Sequence, residues 1–322
     1  MRSVTARDKV VGRTGPRPPP TEGGTAMTRE LTVVLEGYSF LECPRWHEGR
    51  LWVSDFYTEQ VVATDGRGGT EVMAAVPGQP SGLGFLPDGR ALIVSMRDHR
   101  LLVRAADGTL TEHADLSAAV PAVLNDMLVD GHGRAYVGNF GFDLMGGEAI
   151  RSTTLTRVDP DGTVSTAADG LAFPNGMVLL PGGVLVVAET FGARLTAFDV
   201  AADGSLSGRR EWARFGDAPD TEDVNEAVAG LAVAPDGICA DAEGAVWVAD
   251  ALHGRVLRVR EGGEIAEEIP TGTGVFACML GGDDGRTLFL CSAPSFAEHE
   301  RRAAREARLL ATRVDVPHGG LP

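Results

Sequence analysis

The chain has 322 residues, of which 43% are hydrophobic and 42 are glycine, so it can bury one large all-β domain or two ordinary ones. Its formal net charge of −16 argues against nucleic-acid and anionic-membrane partners, because both require basic patches. No apolar run approaches the roughly 20 residues of a transmembrane helix, and the four cysteines form no CxxC pair, which together favour a reduced, cytoplasmic location.

The first segment, residues 1–26, is rich in arginine, proline, glycine and threonine and shows no hydrophobic periodicity. This composition is typical of disordered chain. We therefore predict a disordered leader over 1–26 and a single folded domain over 27–322. A lone short strand at Leu31–Glu36 opens that domain and needs a partner from elsewhere in the chain.

Six copies of one pattern follow, each with a polar residue, an apolar strand, a tight turn and further strands. The second strands of the copies are predicted to begin at residues 51, 91, 135, 184, 246 and 287, roughly 40 to 60 residues apart. This spacing is typical of β-propeller blades, whereas a pair of β-sandwiches is the alternative. We predict a six-bladed β-propeller that is closed by the N-terminal strand, which becomes the outer strand of the last blade and protects its edge.

Three inserts interrupt the pattern: residues 142–154, an acidic loop-like stretch at 208–230, and a short helical pattern within 294–307. Long loops in an otherwise economical ring carry function or decorate the surface.

The first strand of each propeller blade lines the central channel, so its opening residues face one another across the ring. These residues are predicted to be Glu42, Ser81, Asn125, Asn175, Asp236 and Phe276 or Ala277. Carboxylate and carboxamide oxygens are ligands that hard divalent cations prefer. The alternative for Asn175 and Asp236 is turn formation, because Asn-Gly and Asp-Gly are ordinary turn dipeptides.

Motifs of other enzyme classes are absent from the sequence. There is no Gly-x-Ser-x-Gly elbow, no Walker loop and no His-Glu-x-x-His. The seven histidines are scattered. Cys43 and Cys239 adjoin the channel residues and are expected to be small buried residues rather than nucleophiles.

Four motifs in order resemble the regucalcin, gluconolactonase and luciferin-regenerating enzyme family. They are Glu42-Cys-Pro-Arg-Trp, Leu124-Asn-Asp, Phe173-Pro-Asn-Gly-Met and Ala234-Pro-Asp-Gly-Ile-Cys, within a similarity that runs from about residue 31 to 317. The resemblance implies a six-bladed propeller with one catalytic divalent metal ion, Ca²⁺ foremost, with Zn²⁺, Mn²⁺ or Mg²⁺ as alternatives. It also implies hydrolysis of a small-molecule lactone.

The same resemblance implies roles for individual residues. Glu42, Asn175 and Asp236 match the three metal ligands, and Asp236 also matches the general base. Asn125 matches the residue that holds the substrate or a metal-bound water. Val123 stands where members that take sugar lactones often carry arginine, and Cys43 stands where glycine is usual. Phe142, with Phe140 and Met145, is expected to make the mouth more apolar than a sugar site.

Two other functional classes stay open at this point. A propeller enzyme of another class, such as an isomerase, a cyclase or a condensing enzyme resembling strictosidine synthase, is one. A non-catalytic binding propeller is the other. Metal analysis and a lactone panel distinguish them from a metal-dependent lactonase.

Overall fold

The computed structural model describes residues 29–320, in which six four-stranded antiparallel sheets form a ring. The predicted leader at 1–26 lies outside the described residues. Within the described range, no helix combines the length and the apolar character that a membrane-spanning segment needs.

The 24 strands run in chain order, and their bounds in the first half of the ring are β1 (Thr32–Tyr38), β2 (Leu41–His47), β3 (Arg50–Asp55), β4 (Gln60–Thr64), β5 (Thr70–Ala75), β6 (Pro80–Phe85), β7 (Ala91–Ser95), β8 (Arg100–Arg104), β9 (Leu110–Asp115), β10 (Leu124–Val129), β11 (Ala135–Asn139), β12 (Thr153–Val158) and β13 (Val164–Leu171). The second half contains β14 (Pro174–Leu180), β15 (Val184–Glu189), β16 (Arg194–Val200), β17 (Leu206–Arg214), β18 (Pro235–Ala240), β19 (Val246–Asp250), β20 (Arg255–Val259), β21 (Ile265–Pro270), β22 (Gly274–Gly281), β23 (Thr287–Ala293) and β24 (Ala307–Arg313). Three short helical segments lie between strands: a 3₁₀ turn (Phe56–Thr58), α1 (Val224–Gly230) and α2 (Glu298–Arg301).

Each blade is one sheet, and its first strand faces the channel. Blades 1 to 5 are β2–β5, β6–β9, β10–β13, β14–β17 and β18–β21. The six inner strands contact their neighbours around the ring, which closes where β22 meets β2. The second strand of a blade is buried along its whole length, as in β7 and β19, because adjacent blades cover both of its faces.

The last blade is completed by the first strand of the chain. Its order is β22–β23–β24–β1, and β1 pairs antiparallel with β24 from Thr32 opposite Ala311 to Tyr38 opposite Ala307. The predicted propeller and its closure by the N-terminal strand are confirmed. Five of the six predicted second-strand starts coincide with the structure, and the sixth differs by one residue.

One predicted loop is wrong. The stretch 208–230 contains most of β17 and the whole of α1. β17 is the outermost strand of blade 4, so its residues from Ser207 to Glu211 are mainly exposed and charged, which hides the apolar pattern of a strand. Trp212 and Ala213 at its end are buried. The helical pattern in 294–307 forms only the four-residue α2.

Candidate active site

A cavity of about 550 Å³ opens on the ring face where first strands begin and second strands end. All of the predicted site residues line it: Glu42, Val123, Asn125, Phe142, Asn175 and Asp236. They come from blade 1, blade 3, blade 4 and blade 5, and the ring alone brings them together. Concave sites of this size, with a few polar groups among apolar walls, are typical of small-molecule binding.

A register shift in the inner strand of every blade directs these side chains. In each blade, the register between the first and second strands shifts at, or directly after, the residue that faces the channel. In blade 4 the shift lies between Pro174 and Met177, and in blade 5 it lies between Pro235 and Ile238. The other four blades show the shift at the same level. A β-bulge bends the strand and changes the direction of a side chain. Asn175 and Asp236 therefore depart from the regular alternation of side chains along their strands and reach the cavity.

Two acids form the floor of the cavity, and both are almost fully buried. Glu42 is 6% exposed and Asp236 is 8% exposed. Burial, with a further contribution from the charge of Asp126, raises the pKa of Glu42 to about 8, although the Cys43 amide and Arg45 oppose the increase. Burial also raises the pKa of Asp236 well above its ordinary value, with added repulsion from Glu42 and Asp126.

A buried ion pair lies next to the two acids. Arg45 Nη2 is 2.8 Å from Asp126 Oδ1, and both side chains are buried. The same nitrogen donates to the Met127 carbonyl at 2.6 Å. Neither residue was singled out as functional from the sequence, although both stand inside the motifs at Glu42 and Asn125.

The local charge fits a hard divalent cation. When all three acids are ionised, Glu42, Asp126 and Asp236 supply three negative charges against the one positive charge of Arg45, an excess of two that a divalent cation would balance. Residues 29–320 contain no group of three His, Cys, Asp or Glu side chains arranged to hold a metal ion. The candidate set instead joins two carboxylates to the carboxamide of Asn175, and such oxygen donors suit Ca²⁺ or Mg²⁺.

Hydrogen bonds fix the two carboxamides. Asn125 Nδ2 donates to the Pro174 carbonyl at 3.3 Å, which ties blade 3 to blade 4. Asn175 Nδ2 lies 3.3 Å from Thr190 Oγ1, and that hydroxyl donates to the Pro235 carbonyl at 2.8 Å. Thr190 therefore orients Asn175 and links it to the strand that carries Asp236. The sequence reasoning missed Thr190.

Buried acids at the ends of second strands hold the chain that leads into the channel. Asp55 accepts hydrogen bonds from the Ser39 and Phe40 amides, just before β2. Asp250 and Glu189 do the same for the chain before β18 and β14. An acid recurs at the end of three second strands, so the sequence contains a signal for these buried residues that the motifs alone do not reveal.

One predicted channel residue, Ser81, differs from the expectation, and the structure decides between the two alternatives of blade 6. Ser81 is buried but does not line the cavity; its hydroxyl lies 3.7 Å from Cys43 Sγ. In blade 6, Phe276 rather than Ala277 reaches the cavity. The cysteines are buried and free, and burial raises the pKa of Cys43 well above its ordinary value, which disfavours a reactive thiolate.

Comparison with known proteins gives a consistent result. The family described as SMP-30/Gluconolactonase/LRE-like region matches residues 40–294. Pentonolactonase XacC of Haloferax volcanii is 29% identical over 259 residues, which cover 78% of this chain and 81% of the relative. The 6-deoxy-6-sulfogluconolactonase of Pseudomonas putida is 29% identical over 311 residues, covering 90% and 97%.

Among solved structures, the calcium-binding protein regucalcin of Agrobacterium tumefaciens superposes with a TM-score of 0.75. It is 21% identical and the match covers 93% of this chain and 98% of that one. At this identity the likeness establishes the fold.

Proposed function

Because the chain belongs to the SMP-30/gluconolactonase/LRE-like family, we propose that it is a lactonase, a hydrolase that opens a cyclic ester with the help of one divalent cation. The catalytic unit is the propeller of residues 27–322. The observation that carries the proposal is the pair of buried carboxylates, Glu42 and Asp236, on the floor of a cavity that can admit a small molecule. The names of the two lactonase relatives support the substrate class.

Glu42, Asn175 and Asp236 are the proposed ligands of the cation. Two buried acids in mutual repulsion are costly unless a proton or a cation compensates them, and the excess of two negative charges suits a divalent ion. Ca²⁺ is our first choice because its ligands are oxygens, with Mg²⁺, Mn²⁺ and Zn²⁺ as alternatives. When bound, the cation supplies polarisation of the ester carbonyl.

The protein side chains supply the proton transfers. Asp236, in its ionised form, accepts a proton from the attacking water, whose oxygen forms a bond to the carbonyl carbon. The bond from that carbon to the ring oxygen then breaks, and the ring oxygen takes up the proton. The product is an open hydroxy acid. Asn125 is the proposed substrate-holding residue, because its carboxamide lines the same cavity.

The test combines metal analysis with an acid-release assay on purified protein. We expect a stoichiometric divalent cation, lactone hydrolysis that a chelator abolishes, and recovery on adding one of the four cations. Asp236→Ala and Asp236→Asn are expected to lose both the cation and hydrolysis. Since burial penalises this carboxylate, neither change should prevent folding.

Asp88→Asn is the matched control, because Asp88 is an exposed carboxylate in the turn between β6 and β7. It should keep both the cation and the activity. Unchanged lactone turnover in Asp236→Ala would reject the assignment of this residue. A lactone that is converted without release of acid would indicate an isomerase or a cyclase, and a protein that binds lactones without converting them would indicate a binding propeller.

A further inference from the structure

One wall of the cavity is aromatic and comes from blade 3 and blade 4. Phe140 and Phe173 have ring centroids 4.6 Å apart, and Phe173 and Phe191 are 5.3 Å apart in an edge-to-face arrangement. Phe142 lies 5.9 Å from both Phe173 and Phe191. All four residues line the cavity, together with Leu144, Met145 and Leu252.

A second aromatic cluster lines the cavity from blades 1 and 6. Phe40 lies 4.8 Å from Phe276, 5.4 Å from Phe56 and 5.9 Å from Tyr57, measured between ring centroids. In a ring of six, blade 1 stands opposite blade 4 and blade 6 opposite blade 3. The two clusters therefore face each other across the space above the floor.

Several polar groups that line the cavity on the side of blades 1 and 2 are paired within the protein. Arg97 Nη2 lies 2.7 Å from both carboxylate oxygens of Glu298, and its Nε donates to Gln79 Oε1 at 2.7 Å. The Tyr57 hydroxyl donates to the Phe296 carbonyl at 3.1 Å. Donors and acceptors that are already paired in this way offer few hydrogen bonds to the hydroxyl groups of a ligand, which would lose their hydration there.

The cavity is also larger than a bare lactone ring requires. Its volume of about 550 Å³ equals that of about 18 water molecules in the liquid. Val123, on the segment that leads into β10, adds a further apolar side chain beside Asn125. Apolar substituents gain most from leaving water for such a space.

From these observations we propose that the substrate is a lactone whose ring carries an extended apolar substituent, alkyl or aryl. The ester group lies at the floor beside Glu42, Asn125 and Asp236, and the substituent lies between the two aromatic clusters. This inference rests on the proposed lactonase function. It narrows the substrate class from lactones in general to hydrophobic ones, and it disfavours polyhydroxylated sugar lactones.

The first experiment measures kcat/KM of the cation-loaded protein for γ-butyrolactone, γ-valerolactone, γ-octanolactone, γ-decanolactone, dihydrocoumarin and glucono-δ-lactone. We expect kcat/KM to rise about fourfold for each added methylene group that is buried, largely through a lower KM, and to be lowest for glucono-δ-lactone. Equal or faster turnover of glucono-δ-lactone than of γ-decanolactone would overturn the inference while leaving the lactonase function intact. Failure of every lactone with every cation would overturn the lactonase function and this inference with it.

The second experiment locates the substituent. Met145→Gln and Leu252→Gln each place a polar group on the blade 3 to blade 5 side of the cavity, and Met145 is 46% exposed, so its change should not disturb folding. We expect KM for γ-decanolactone to rise at least threefold, and the change in KM for γ-butyrolactone, which carries no substituent, to be clearly smaller.

Val72→Gln is the matched control, because Val72 is 54% exposed on the outer strand β5 and does not line the cavity. It should leave both substrates unaffected. Parallel losses for both lactones in the two cavity variants would contradict the placement of the substituent against this wall.

Discussion

Arg45 and Asp126 form an ion pair at 2.8 Å that joins the inner strand of blade 1 to the inner strand of blade 3. In the ring, the inner strand of blade 2 lies between these two strands. Its Gly82 packs so closely on blade 3 that a Cβ atom added to Gly82 would lie 2.6 Å from the amide nitrogen of Met127. The charge of Asp126 acts on both Glu42 and Asp236. One buried ion pair therefore both joins two blades and influences the pKa values of the two acids in the candidate site.

Breaking this ion pair is expected to destabilise the protein strongly. Arg45→Met leaves Asp126 as an uncompensated buried charge, and Asp126→Asn leaves Arg45 without its counter-ion, so each should lower the free energy of unfolding by about 3–5 kcal/mol. The double variant should lose clearly less than the sum of the two. Urea unfolding, monitored by tryptophan fluorescence, measures the free energy of unfolding of the unmodified protein, the two single variants and the double variant. Additive losses would show that the two side chains do not interact energetically.

The cation-free protein is expected to lose stability as the pH rises. The pKa of Glu42 is raised from 4.5 to about 8 in the folded state, so between these values the folded protein holds a proton that the unfolded chain releases. The free energy of unfolding therefore falls as the pH rises from about 4.5 to about 8. Each pKa unit corresponds to about 1.4 kcal/mol, so the total change amounts to a few kcal/mol.

Thermal unfolding in a chelator across this pH range measures the effect. Glu42→Gln should reduce the slope because it removes one titrating group, and Asp236, whose pKa is also raised, accounts for the slope that remains. Saturation with a divalent cation should also flatten it, since a bound cation keeps the folded carboxylates ionised. A slope that Glu42→Gln leaves unchanged would show that another group is responsible.

Asn125→Ala is expected to separate substrate binding from cation binding. Asn125 lines the cavity but is not among the proposed ligands, so the variant should retain its cation and show a KM raised by about tenfold, the loss of one hydrogen bond. Asn175→Ala is the comparison, because Asn175 is a proposed ligand and its loss should lower cation affinity. Metal titration and steady-state kinetics of both variants check the assignment. Equal cation loss in both would contradict it.

A methyl group at Gly237 is expected to disturb the channel wall. A Cβ atom at this position would lie 2.5 Å from the Ala277 Cβ and 2.6 Å from the Ala277 Cα in the next blade. Gly237→Ala should therefore cost about 1–3 kcal/mol through overpacking. Because Gly237 follows Asp236 directly, cation affinity should fall as well.

Gly131→Ala is the control for that substitution. A Cβ atom at Gly131 meets nothing within 4 Å, and its backbone does not need a positive φ angle. The change should be neutral or slightly stabilising. Comparable destabilisation by both substitutions would contradict the assignment of the cost at Gly237 to the close approach of the blades.

The propeller could be predicted because its repeated unit is local. A buried second strand such as Ala91–Ser95 is a continuous apolar run followed along the chain by turn residues, and six such runs define the ring. β17 was missed because an outer strand has one face in water, so its Arg-Arg-Glu segment reads as a loop. The exposure of β17, rather than weak pairing with β16, hides the apolar pattern that would indicate a strand.

The candidate site could be predicted only in part. Glu42, Asn175 and Asp236 stand at equivalent positions of the repeat, which is visible in sequence. The contact of Arg45 with Asp126 and that of Phe142 with Phe191 join different blades at distances along the chain that no local pattern reports. The bulges that turn the ligands inward follow from strand register, which is likewise a property of the assembled sheet.

Closure of the ring by β1 has a consequence for the order of events during synthesis. Of the strands in residues 29–320, β1 is the first and its hydrogen-bonding partner β24 is the last, so the two can pair only after every other described strand has been translated. Contacts of such long sequence separation form slowly. We therefore expect the enclosed floor that Glu42 and Asp236 share to form late, once β1 and β24 have paired and the ring has closed.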